Sequence, residues 1–168
     1  MRLAGLVGIA IITLLDPATS ADGGCEKFAW PIARELAWFA ASDKPNAAVG
    51  ETLAALPKQA LVIHLKPASQ ASFELPPERK PLSDQWFGGI VRFPALERPG
   101  IYQVTLSDEA WIDVIQDSHY ARSVGSSGRN DCAGLRKSVR LEVGPMPFTL
   151  QFSGVSSDAI VMAIRPAE

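Results

Sequence analysis

The chain predicts an antiparallel β-sandwich or jelly roll with one short helix near its N-terminus, and three observations carry the prediction. From residue 86 onward, short apolar runs recur between turn-forming residues, at intervals too short for crossover helices. Several runs alternate with period two: Tyr102, Val104 and Leu106 share one face, as do Val139, Leu141 and Val143, while Gln103, Thr105, Arg140 and Glu142 point away. The 13 prolines concentrate between the runs, which favours many short segments over long helices.

Taken in order, residues 1–20 read as a secretory signal peptide. Arg2 precedes an apolar run from Leu3 to Leu15, Asp16-Pro17 breaks it, and the small residues Ala18 and Ser20 suit cleavage before Ala21. The run is too short to span a hydrocarbon core about 30 Å thick. A periplasmic or secreted protein follows, with residues 21–168 as one sandwich domain and no integral membrane segment after cleavage. Export also favours a disulfide between Cys25 and Cys132, the only cysteines present. Such a bridge closes a long loop and stabilises by about 4 to 5 kcal/mol in chain entropy. Asp22-Gly23-Gly24 before Cys25 lacks the apolar residue of a lipid-anchor signal.

Pro31 suits a first helical turn, and Ile32, Leu36 and Phe39 recur at helical spacing, so a helix is expected near residues 32–41, packed through Trp30 and Trp38. Ser42 to Gly50 reads as turn. Strands are expected over 61–65, 73–75, 87–93, 101–107, 110–116, 138–143, 148–153 and 159–165, with 78–85 as a surface connection. Gly88-Gly89 marks a bulge or a close backbone approach rather than a phosphate loop, since no strand-to-helix junction surrounds it.

The formal net charge of −2 argues against a nucleic-acid partner. Nucleophilic catalysis needs a histidine base, and a metal centre needs several ligands; the chain offers only His64, inside an apolar strand, and His119, in a turn. No metal, cofactor or catalytic residue is assigned. Two constellations are candidates for ligand binding. In one, Trp111 and Asp113 project from the same face of their strand, an indole for stacking beside a carboxylate that accepts from hydroxyls. The competing expectation, and the preferred one, is that the N-terminal helix covers this face and buries Trp111. In the other, Arg136 and Arg140 stand in a basic cluster with Arg122, Arg129 and Lys137, and guanidinium forks favour oxyanions.

Phe28-Ala29-Trp30-Pro31-Ile32-Ala33-Arg34, Ala37-Trp38-Phe39, Phe87-Gly88-Gly89, Gly100 to Leu106, Ala110 to Val114 and Leu135 to Arg140 together resemble a family of small exported bacterial proteins of unknown function. Some members carry a homogentisate dioxygenase label. That chemistry needs several histidines and a carboxylate around iron on a longer chain, so the resemblance transfers no functional residue. In architecture the strand succession is similar to jelly-roll carbohydrate-binding modules and pre-peptidase C-terminal domains. The expectation is an exported, non-catalytic module that binds an envelope ligand or protein, with carbohydrate or an anionic group as the ligand. The alternatives are a cupin-type metal enzyme, for which His64, His119 and Asp113 must converge, and a structural envelope protein.

Overall fold

Residues 23–168 are described by the structure, a computed structural model. The expected signal peptide and its cleavage point lie outside them. Eleven strands form two facing sheets: β1 (Asn46–Ala48), β2 (Leu61–His64), β3 (Lys66–Pro67), β4 (Phe87–Phe93), β5 (Gly100–Leu106), β6 (Trp111–Gln116), β7 (His119–Tyr120), β8 (Ser123–Gly128), β9 (Lys137–Val143), β10 (Phe148–Val155) and β11 (Ala159–Pro166). One sheet has the order β1-β2-β11-β5-β9-β8, the other β3-β4-β10-β6-β7. Every neighbouring pair is antiparallel except β1 with β2. The interleaving β2-β11-β5-β9 over β4-β10-β6-β7 is that of a jelly roll, two Greek keys wrapped around one core.

The period-two pattern decides which side chains fill that core. Val104, Leu106, Val139, Leu141, Ile160, Met162 and Ile164 from one sheet meet Val91, Phe93, Ile112, Val114, Leu150 and Phe152 from the other. Phe93 and Phe148 stack with centroids 4.9 Å apart. The hairpin between β6 and β7 turns on Asp117 (φ 51°) and Ser118 (φ 61°), a two-residue loop whose left-handed pair matches the strand twist.

The polar outer faces are not left to water. The helix α1 (Ala33–Ala40) lies over the outer face of the six-stranded sheet, and its one fully buried side chain is Glu35. Glu35 Oε1 accepts from Gln103 Nε2 at 2.7 Å and from Arg165 Nε at 2.6 Å. Beside it Trp30 Nε1 donates to Ser138 Oγ at 2.9 Å, and Ser138 Oγ lies 3.0 Å from Thr105 Oγ1. The Cys25–Cys132 disulfide fixes this cover to the loop between β8 and β9, within a second small core of Phe28, Ile32 and Leu135.

The helix covers the six-stranded sheet, not the face carrying Trp111, because Glu35 and Trp30 find their polar partners on β5, β9 and β11. Residues 73–75 form no strand; they begin a strap across the five-stranded sheet. Pro76, Pro77 and Pro81 leave that strap without the amides a ladder requires. The turn expected over 42–50 contains β1, and the serine- and glycine-rich residues 123–128, outside the expected strands, form β8. The structure places β8 as an edge strand, with Trp30 packed on Gly125, where a Cβ would sit 3.4 Å from the indole. Gly88 and Gly89 are close backbone approaches: a Cβ on Gly88 would stand 2.4 Å from Phe152 O, and one on Gly89 would meet Val49 at 2.3 Å. The bulge itself lies in β10, between Phe152 and Val155.

Removing the carboxylate from beneath the helix leaves Arg165 buried with only carbonyls and the exposed Glu168 as partners. Glu35→Ala is expected to cost about 3 to 5 kcal/mol in chemical denaturation, and Glu35→Gln, which keeps one acceptor, distinctly less.

Candidate functional site

The strap over residues 73–86 is held by side chains acting in place of a strand ladder. Gln151 Oε1 accepts from the amides of Glu74 (2.7 Å) and Leu75 (3.1 Å), and Gln151 Nε2 donates to Leu75 O at 3.0 Å. Thr149 Oγ1 and Arg92 Nε both donate to Glu74 Oε1, at 2.8 and 3.0 Å. Tyr120 donates its hydroxyl to Pro76 O. Asp113 completes the set: Oδ2 accepts from the Glu78 amide at 3.3 Å and Oδ1 from Trp111 Nε1 at 2.6 Å. Trp111 and Asp113 are therefore brought together, as alternation implies, but in different roles. Asp113 is 3% exposed and spends both oxygens on the protein, so it orients the indole instead of facing a ligand. Trp111 is half-buried and carries the Arg79 guanidinium 4.9 Å from its ring centroid and the Lys137 ammonium 5.6 Å from it.

Beyond Glu78 these side-chain ties end, and there the strap lines a cleft of about 380 Å³. Arg79, Leu82, Trp86, Trp111, Lys137 and Ser153 line it. That volume lies within the usual range of small-molecule sites. Ser153 stands opposite Trp111 in the β6–β10 register, and its buried Oγ has no hydrogen-bond partner among the described residues. The β10 bulge places Gly154, with φ 74°, at the same point, and bulges recur where a strand must re-aim a side chain beside a site. Leu82 stands fully exposed at the rim.

Arg136 and Arg140 do not reach this cleft. Arg140 points from the outer face of the six-stranded sheet, stacks on Trp30 at 4.5 Å, and bonds Gln103 Oε1 through Nε and Nη2, each at 3.2 Å. Its fork is thus spent inside the protein. Arg136 lies in the loop before β9, with Nη1 3.1 Å from Asn130 O. The histidines also stay apart. His64 is an exposed rim residue on β2, its Nε2 2.9 Å from Asn46 Oδ1, while His119 is exposed on β7 in the other sheet with Nδ1 2.6 Å from Asp117 O. Among the described residues no three or more His, Cys, Asp or Glu side chains cluster as metal ligands.

Arg79, Lys137 and Ser153 were not singled out as site residues by sequence reasoning. Lys137 was visible within the basic cluster, yet it belongs with Trp111 because β9 begins where β6 begins, and Lys137 Nζ caps Ala110 O at 2.6 Å. Ser153 could have been found by extending the alternation of β10 from Thr149 and Gln151. Arg79 carried no signal of its own. The fold class is that of a jelly-roll β-sandwich; no family model matches the chain, and no curated protein or solved structure is significantly similar to it. No helix among the described residues is long and apolar enough to cross a membrane.

Burial pushes the Asp113 carboxyl above its ordinary value near 3.8, against the opposing hydrogen bonds from Trp111 and Glu78. The native state therefore takes up this proton before the unfolded chain does. Its contribution to stability is complete below about 3.8 and is lost as pH rises through the higher native value. A carbon-13 titration should place the Asp113 midpoint above that of an unperturbed aspartate, and Asp113→Asn should remove this component from the stability–pH curve. Gln151→Ala, which frees the strap amides, is expected to speed hydrogen exchange at Glu74 and Leu75 well beyond any change in the core strands.

Proposed function

We propose that this protein is an exported, non-catalytic β-sandwich that binds an envelope glycan in the cleft beside Trp111. The single observation carrying the reading is the convergence at one strap end of a half-buried, hydrogen-bond-oriented indole and a buried serine hydroxyl without a partner. An unmet buried hydroxyl costs about 1 to 3 kcal/mol, which a hydroxyl or carbonyl of a bound ligand would offset. An indole supplies apolar area for the C–H faces of a sugar, and its Asp113 bond fixes the ring before a ligand arrives. Export is supported by the signal-like N-terminal sequence and by the disulfide, a bond that persists in oxidising compartments.

The test is a glycan and cell-wall binding screen with the oxidised mature protein, followed by calorimetric titration of each hit. Trp111→Ala is expected to weaken binding at least tenfold. Leu82→Asp, which alters only an exposed rim residue and so spares the fold, is expected to weaken it several-fold with an unchanged melting temperature. Absence of any hit, or hits indifferent to both substitutions, overturns the reading.

A further inference from the structure

We infer that the ligand of this cleft is an acidic saccharide, whose carboxylate is held between Arg79 and Lys137 while its ring lies against Trp111; the inference rests on the binding reading above. The cleft wall carries three cations, Arg79, Lys80 and Lys137, against one carboxylate, Glu109. The two cations nearest the indole are held differently. Lys137 is fixed: its stem is largely buried, and Nζ donates to Ala110 O at 2.6 Å and Glu109 Oε1 at 3.1 Å, which leaves one of its three N–H groups for a ligand. Arg79 has no carboxylate within salt-bridge distance among the described residues, whereas Lys137 is paired with Glu109. It is exposed and lies over the ring, so its planar fork is free for two parallel hydrogen bonds to an oxyanion.

An oxyanion alone explains neither the indole nor the serine. The ring asks for an apolar surface next to the charge, and the Ser153 hydroxyl asks for a hydroxyl or carbonyl partner on the same ligand. A sugar ring bearing a carboxylate offers all three within one residue. Arg136 and Arg140, the oxyanion candidates by sequence, lack this combination because the Arg140 fork is spent on Gln103 and neither lies at the cleft.

The experiment compares trigalacturonate with its carboxyl-reduced counterpart, a trisaccharide of the same linkage without the charges, and with inorganic phosphate. Each is titrated calorimetrically into the oxidised protein at low and moderate salt. The acidic trisaccharide is expected to bind at least tenfold more tightly than the reduced one, and the advantage should shrink as salt rises. Arg79→Gln, at an exposed position, should remove at least tenfold of that affinity with the melting temperature unchanged. Ser153→Ala should weaken binding several-fold while leaving the melting temperature equal or higher, since it deletes an unpartnered buried hydroxyl. Equal affinity for both trisaccharides would overturn the acidic requirement and leave the glycan-binding reading standing. Phosphate binding as tightly as trigalacturonate would overturn the saccharide part. Failure of both trisaccharides to bind would overturn this inference, while the broader screen decides the binding reading separately.

Discussion

The constraint on which this structure turns is that both outer faces of the sandwich are polar and both are covered. Alternation places Gln103, Thr105, Ser138 and Arg165 outside one sheet and Asp113, Thr149, Gln151 and Ser153 outside the other, yet all eight are buried. Each covered polar atom needs a partner, because an unmet one costs more than a typical hydrogen bond contributes. On the six-stranded sheet the partner comes down from the cover, as the Glu35 carboxylate reaching Gln103 and Arg165. On the five-stranded sheet the partners reach up, with Gln151, Thr149 and Asp113 bonding a strap whose prolines rule out regular pairing.

The cleft is a consequence of the same rule. Side-chain ties run from Glu74 to Glu78 and then stop, and the first sheet residue beyond them, Ser153, is left unpartnered, as is Glu35 Oε2 under the other cover. Asp113 links the two regions, since one carboxylate both anchors the strap amide of Glu78 and fixes the indole of Trp111. The site is therefore made by the end of a cover rather than by a conspicuous motif, and its chemistry is distributed over three segments: the strap, the start of β6 with β9, and the bulged end of β10.

That distribution explains what could be read from the sequence. Period two is a local property, so the large strands, their inward faces, the helix and the disulfide were legible from neighbouring residues and compartment. Which cover lies on which sheet is a long-range property: Glu35 finds Arg165 across 130 positions, and nothing local announces that a glutamate is the buried face of a helix. Trp111 and Asp113 were visible as a pair because they share one strand, but the loss of Asp113 to the strap was not, since its partner is a backbone amide. Residues 123–128 gave no strand signal because serine and glycine favour turns; pairing with β9 and the Trp30 ring laid on Gly125 outweigh that preference.

The two covers also differ in how firmly they are held, and this bears on where a ligand can act. The N-terminal cover is bound covalently through Cys25–Cys132 and by a buried ion pair. Beside the bridge, hydrogen bonds from Arg129 hold the Asp131 carboxyl down at about 2, with Lys27 adding to the effect, so this clasp keeps its charge until strongly acidic pH and is lost only as pH falls through that value. The strap has no covalent tie and relies on side-chain hydrogen bonds to the outer face of a sheet. Local opening has its lowest cost where few buried apolar contacts and many replaceable hydrogen bonds hold a segment. Under the proposed function, a ligand lodged between Arg79, Trp111 and Ser153 would add contacts at the untied end of that segment and stabilise the strap by the free energy of binding itself. The cleft thus lies under the cover that has no disulfide, while the cover tied by Cys25–Cys132 lies on the opposite sheet.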